Sequence, residues 1–210
     1  VAAGPEVAVE LRPFEVEKGC RISAIRDGAI LRQAVVFRVG DAPALLDRIA
    51  KELPAGYRAA VRRASGGGHA LRADAGEFVS VRGAVAEPGV VTLTASTGCR
   101  PADGFTPQDP VVVGDVDAEL ARVLEALDVT DAVPGPAASV ACRDGVAATV
   151  RATGQRARAQ PLHAALRPLG GTKAVVVVDH ADRYAYRSGS LSVVAEAVDD
   201  EIRLAVTRSC

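Results

Sequence analysis

EFVSVRGAVAEPGVVTLTASTGC (residues 77–99) and SLSVVAEAVDDEIRLAVTRSC (residues 190–210) are two versions of one pattern. Each is an alternating run, a tight turn, a second alternating run and then a cysteine. The turns are Glu87-Pro88-Gly89 and Asp199-Asp200-Glu201. Period-two alternation broken by turn residues predicts a β-hairpin, so each half of the chain should close on a hairpin that ends in Cys99 or Cys210.

The match extends upstream. Cys20 is followed by Arg26-Asp27-Gly28 and a strand-like run over 29–39, and Cys142 by Arg143-Asp144-Gly145 and a strand-like run over 146–153. A helix comes next in both. In the first half it covers 41–53, with Asp41 as N-cap and Leu45, Leu46, Ile49 and Leu53 on one face. In the second it covers 161–169, with Leu162, Leu166 and Leu169 inward and Pro168 weakening the last turn. Another hairpin follows: 57–64 and 69–73 in the first half, 174–179 and 183–188 in the second. The expected fold class is α+β, as two tandem copies of a small domain, each an antiparallel sheet with one or two helices on one face. Residues 1–100 form the first repeat, with an N-terminal strand at Val7-Ala8-Val9-Glu10-Leu11-Arg12. Proline-rich 101–114 is the linker and 115–210 the second repeat. A helix from Asp115 to about Val129 should lead the second repeat, presenting Leu120, Val123, Leu124 and Leu127, with Val133-Pro134-Gly135-Pro136 ending that segment.

The repeat selects one of the three pairings open to four cysteines. One cysteine of each copy lies near the first strand and the other ends the last, which predicts disulfides Cys20–Cys99 and Cys142–Cys210. Loops of roughly 70 to 80 residues make each bridge worth about 4 kcal/mol of loop-closure entropy. That matters here, because aromatics are 3% of the residues and Trp is absent, so the core is built from Val, Leu, Ala and Ile. Four buried free thiols are the alternative, and they leave the matched positions unexplained.

The chain begins Val1-Ala2-Ala3 and contains no Met. With the disulfides, this predicts a secreted protein released by removal of a signal peptide; a chain cut at an arbitrary point is the alternative. A net charge of −1 argues against a nucleic-acid partner. No apolar run approaches the roughly 20 residues of a membrane span.

No catalytic, metal or cofactor constellation is expected. No C-x-x-C pair occurs, and the three histidines, His69, His163 and His180, are not spaced as ligands on one element. His180 with Asp179 and Asp182 is the best polar grouping, at a turn where such residues belong anyway. Ser65-Gly66-Gly67-Gly68 lacks the Lys-Ser/Thr of a phosphate loop and reads as a hairpin tip. The candidate partner-binding residues are Val7, Val9 and Leu11 of the N-terminal strand, which could join its own sheet or another chain's edge, and the pair Tyr184 and Tyr186. Rarity of aromatics favours core use for at least one of the tyrosines.

The strand Tyr184-Ala185-Tyr186-Arg187-Ser188-Gly189 and the closing Thr207-Arg208-Ser209-Cys210, with Ser96-Thr97-Gly98-Cys99 in the first copy, resemble small exported actinobacterial two-cysteine domains. Abundant Ala, Arg, Val and Gly with few Lys agrees with such a source. Among exported actinobacterial assemblies, the description is similar to that of the adaptor subunit of Streptomyces umbrella toxin particles. The resemblance implies a secreted, non-catalytic adaptor that bridges other secreted proteins in a hetero-complex. The rival expectations are a secreted hydrolase or protease inhibitor, with 101–110 as its loop, and a cell-envelope domain.

Overall fold

The computed structural model describes residues 4–63, 68–101, 114–143, 145–157 and 160–210. Among these residues it is α+β, with one antiparallel sheet in each half, three helices and two disulfides. The elements in chain order are β1 (Ala8–Leu11), β2 (Glu15–Ser23), β3 (Arg26–Arg38), α1 (Ala42–Glu52), a 3-10 turn (Ala55–Tyr57), β4 (Ala60–Arg63), β5 (His69–Gly76), β6 (Val79–Glu87) and β7 (Val90–Thr97). The second half has α2 (Gly114–Ala126), β8 (Val129–Cys142), β9 (Gly145–Arg156), α3 (Leu162–Gly170), β10 (Val175–Asp179), β11 (Arg183–Ser188), β12 (Leu191–Val198) and β13 (Glu201–Arg208).

Strand order proves the repeat. The first sheet runs β2-β3-β7-β6-β5-β4, with β1 also bonded to β3; the second runs β8-β9-β13-β12-β11-β10. Each copy is therefore strand, strand, helix, hairpin, hairpin, with the last strand inserted beside the second. Cys20 on β2 joins Cys99 after β7, and Cys142 on β8 joins Cys210 after β13. Each bridge thus ties an outer strand to the end of the last strand, across the strand between them.

The chain divides into two compact units. Unit 1 holds Arg12–Val36 and Asp41–Asp109, and unit 2 holds Ala2–Leu11, Phe37–Gly40 and Pro110–Cys210. The N-terminal strand, expected with the first repeat, thus makes its contacts in unit 2. The expected linker falls almost wholly outside the described residues, as do Ser65, Gly66, Gly67 and Asp144.

In unit 1, α1 starts where Asp41 Oδ1 accepts from Ala44 N at 3.0 Å, and it buries Leu45, Leu46 and Ile49. Gly83 on β6 is where this helix comes down. A Cβ there would stand 2.8 Å from Leu46 Cδ1 and 2.6 Å from Leu93 Cδ2. In unit 2, Val116, Val123 and Leu127 of the α2 segment and Leu162 and Leu166 of α3 close over Tyr184, Tyr186, Val193, Ala195, Ile202, Leu204 and Val206. Tyr186 donates to Glu119 Oε1 at 2.9 Å, and Arg122 Nη1 donates to Glu119 Oε2 at 2.7 Å, so α2 is held to β11 through one buried carboxylate.

Three expectations need correction. Val133-Pro134-Gly135-Pro136 does not end a segment; it lies inside the 14-residue strand β8. An edge strand tolerates proline, and the register with β9 shifts on both sides of these residues. The helix expected over 115–129 is Gly114–Ala126, because Asp128 takes a positive φ and Val129 already opens β8. Tyr57 lies in the 3-10 turn, and left-handed Arg58 separates it from β4.

Candidate functional site

The two copies can be aligned residue by residue by counting pairs inward from their hairpin turns. In unit 2, Ala185 faces Val194 and Val194 faces Ala205, with Arg151 next in the row. The same row in unit 1 is Arg72, Arg82 and Thr94. Side chains alternate across a sheet, so both rows lie on the face away from the helices: Tyr184 and Tyr186 flank Ala185 on the helix side, as Leu71 and Ala73 flank Arg72. One face of one fold has therefore been given opposite chemistry in the two copies.

In unit 2 that face is covered by the unit's own N-terminal strand. Ala8 is fully buried against Ala185, Val194 and Ala205, side chains small enough for a strand to lie close. Several of the strand's polar groups are met by this face. Leu11 N donates to Thr149 Oγ1 at 3.0 Å, and Thr149 Oγ1 shares a 2.7 Å bond with Thr207 Oγ1. Arg151 Nη2 donates to Leu11 O, and Arg187 Nη1 to Val7 O at 3.3 Å. Burial lowers the Arg187 pKa, and the Glu6 carboxylate opposes that shift. Glu10 is 3% exposed and its carboxylate is held by two arginines: Oε1 by Arg151 Nε at 3.0 Å and Oε2 by Arg38 Nη1 at 3.3 Å. Arg38, itself buried, also pairs with Glu196. A charge buried this far is tolerated only with such partners.

In unit 1 the corresponding face carries exposed Arg72 and Arg82 directly opposite each other, with exposed Arg62 on the next strand and Asp74 beyond. Like charges directly opposite on neighbouring strands repel. At one end of unit 1 large apolar side chains reach the solvent. Ile25, at the β2–β3 turn, is 98% exposed, and Phe78, at the β5–β6 turn, is 80% exposed. The Cys20–Cys99 bridge lies beside Gly28 of β3. A Cβ at Gly28 would meet Ile22 Cδ1 and Cys99 Sγ, both at 2.9 Å, and the Arg100 guanidinium stands 5.3 Å from the Phe78 ring centre.

Of the residues singled out in the sequence, Val7 and Leu11 are buried within unit 2 and Val9 is half-buried; Tyr184 and Tyr186 are 1% exposed in its helix-side core. The strand and the tyrosine pair stand on opposite faces of one sheet. His163 Nδ1 lies 3.8 Å from Asp179 Oδ1, while His180 exchanges backbone bonds with Arg183 across the β10–β11 turn. Among the described residues, no group of three or more His, Cys, Asp or Glu stands together as a metal site, and no helix is long and apolar enough to cross a membrane. Sequence reading missed Glu10, Arg38 and the Arg72–Arg82 pair. Glu10 did leave a signal, a lone acid inside an otherwise apolar alternating run. No protein-family model, curated protein or solved structure matches the chain.

Proposed function

We propose that this protein is a secreted, non-catalytic adaptor that bridges other secreted proteins in an extracellular assembly, such as an antibacterial toxin particle. One observation carries the reading. The sheet face that holds an extended segment in unit 2 is exposed and basic in unit 1. Unit 2 displays the binding mode: small side chains under the strand, a threonine and arginines on its backbone, and a paired acid at its side. Unit 1 offers the same platform with arginines, which suits an acidic extended segment of a partner. The apolar tips Ile25 and Phe78 add anchors of the kind that dominate interfaces. Two disulfides suit an oxidising compartment, and the resemblance of the closing strands to exported actinobacterial domains, with the adaptor subunit of umbrella toxin particles among their assemblies, supports the same setting.

The test is affinity capture from culture supernatant with the full chain as bait. A stoichiometric partner that is retained by the native protein and lost with Arg72→Glu/Arg82→Glu, at unchanged melting temperature, supports the adaptor. A chain that captures nothing, or that turns over a generic ester or peptide, overturns it.

A further inference from the structure

Among the described residues, β1 apart, whose Ala8 is packed against the unit 2 sheet, four strands are outer strands, and three of them are protected against pairing with another chain. β2 carries Glu15, Glu17, Lys18 and Arg21. β4 is four residues long and ends in Arg62-Arg63. β8 contains Pro134 and Pro136. Charge, shortness and proline are the usual means of blunting a sheet edge. The fourth, β10, is also short and bulged, but its apolar run carries neither charge nor proline: it reads Val175-Val176-Val177-Val178 before Asp179, bonded to β11 on one side, with Val175 39% and Val176 43% exposed. It occupies the same place in its sheet as β4, so the same edge is charged in one copy and all valine in the other.

We propose that the β10 edge joins a second copy of this chain, β10 against β10, antiparallel about Val176. The charges at its ends select this occupant and this direction. Lys173 and Asp179 lie three residues before and three after Val176. Antiparallel pairing about that residue brings each Lys173, in the turn before β10, to the end of the pair where the other copy's Asp179 stands, with the valines between them. Parallel pairing would set like charges side by side. A two-fold interface must be self-complementary, and this strand is. The bulge between Val176 and Val178 and the short run keep the contact small, so the association is weak and depends on concentration.

The experiment is sedimentation velocity on the full, disulfide-bonded chain from about 1 µM to about 1 mM, where interfaces of the smallest size class associate. Native protein should pass from monomer to dimer across that range. Lys173→Asp alone and Asp179→Lys alone each turn two attractions into two repulsions, and each should weaken self-association about tenfold. An equimolar mixture of the two variants restores both opposite-charge pairs and should dimerise as the native chain does. Both positions are exposed, and circular dichroism checks that each variant keeps its fold. A chain that stays monomeric throughout, a dimer indifferent to either charge reversal, or a mixture no better than its components would each overturn the proposal. None of these readouts involves the partner of the adaptor reading, so the two stand or fall separately.

Discussion

The hydroxyl of Tyr186 donates to Glu119 across the interface of β11 and α2, and both residues are buried. The acid needs this bond, because its other oxygen has Arg122 and a buried carboxylate without partners is costly. The phenol needs it too, since the proton that Tyr186 donates is held in place by burial first and by the charge of Glu119 second, and both raise its pKa.

Stability at alkaline pH follows from that relationship. Burial also raises Tyr184, with Asp179 adding to the shift. A group whose pKa is higher folded than unfolded stabilises the fold fully below its unfolded value, near pH 10 for tyrosine, and loses that contribution as pH rises past it. Stability should therefore begin to fall above about pH 10, by up to about 1.4 kcal/mol per pH unit for each buried tyrosine. Denaturant titrations from neutral pH upward, followed with phenolate absorbance, check this. Tyr186→Phe should flatten the alkaline fall while lowering neutral stability by about 1–3 kcal/mol, because Glu119 loses a partner.

Glu10 is the anchor of the N-terminal strand. Glu10→Ala should lower stability by up to about 3 kcal/mol, because Arg38, which keeps Glu196, and Arg151, which keeps the Leu11 carbonyl, lose the acid they share. Glu10→Gln keeps the shape and one acceptor and should cost less. The midpoint of urea unfolding measures both. A midpoint unmoved by Glu10→Ala would mean that the strand does not hold this position in solution.

What could be read from the sequence was what depends on local chemistry. Asp41 before an apolar stripe announced α1, and the hairpins that end in Cys99 and Cys210 announced the two sheets. The strand β8 escaped because its Pro134 and Pro136 read as a break; only its place at the sheet edge makes them tolerable. The destination of β1 escaped for a different reason. Ala185 and Ala205 become a landing place for Ala8 only when distant strands are set side by side, and nothing in the residues around Val7 or Leu11 encodes that. The Arg72–Arg82 pair likewise needs the β5–β6 register before it is a pair at all.

The two disulfides close loops of 79 and 68 residues. Each should contribute about 4 kcal/mol through loop-closure entropy. Intact mass should be four hydrogens below the fully reduced mass, and reduction should destabilise the protein strongly. Cys20→Ser/Cys99→Ser and Cys142→Ser/Cys210→Ser, each removing one bridge, separate the contributions; a pair that melts as the native chain does would refute a bracing role for that bridge.

Arg72 and Arg82 offer the sharpest separation of stability from function. They face each other in the β5–β6 register on an exposed face, where like charges weaken the sheet. If nothing bound there, the repulsion would be a pure cost, and the equivalent positions in unit 2, Ala185 and Val194, show that the fold accepts uncharged residues in this row. Arg72→Glu turns the repulsion into an attraction with Arg82 and should raise the stability of unit 1 by about 0.5–1 kcal/mol. The same change cancels the net positive charge of the pair that an acidic partner segment would meet, so capture of the partner should fall while thermal stability rises. A partner retained at full strength by Arg72→Glu would place its binding elsewhere on the chain, with the Ile25 and Phe78 tips next to be tested by Ile25→Ser and Phe78→Ser.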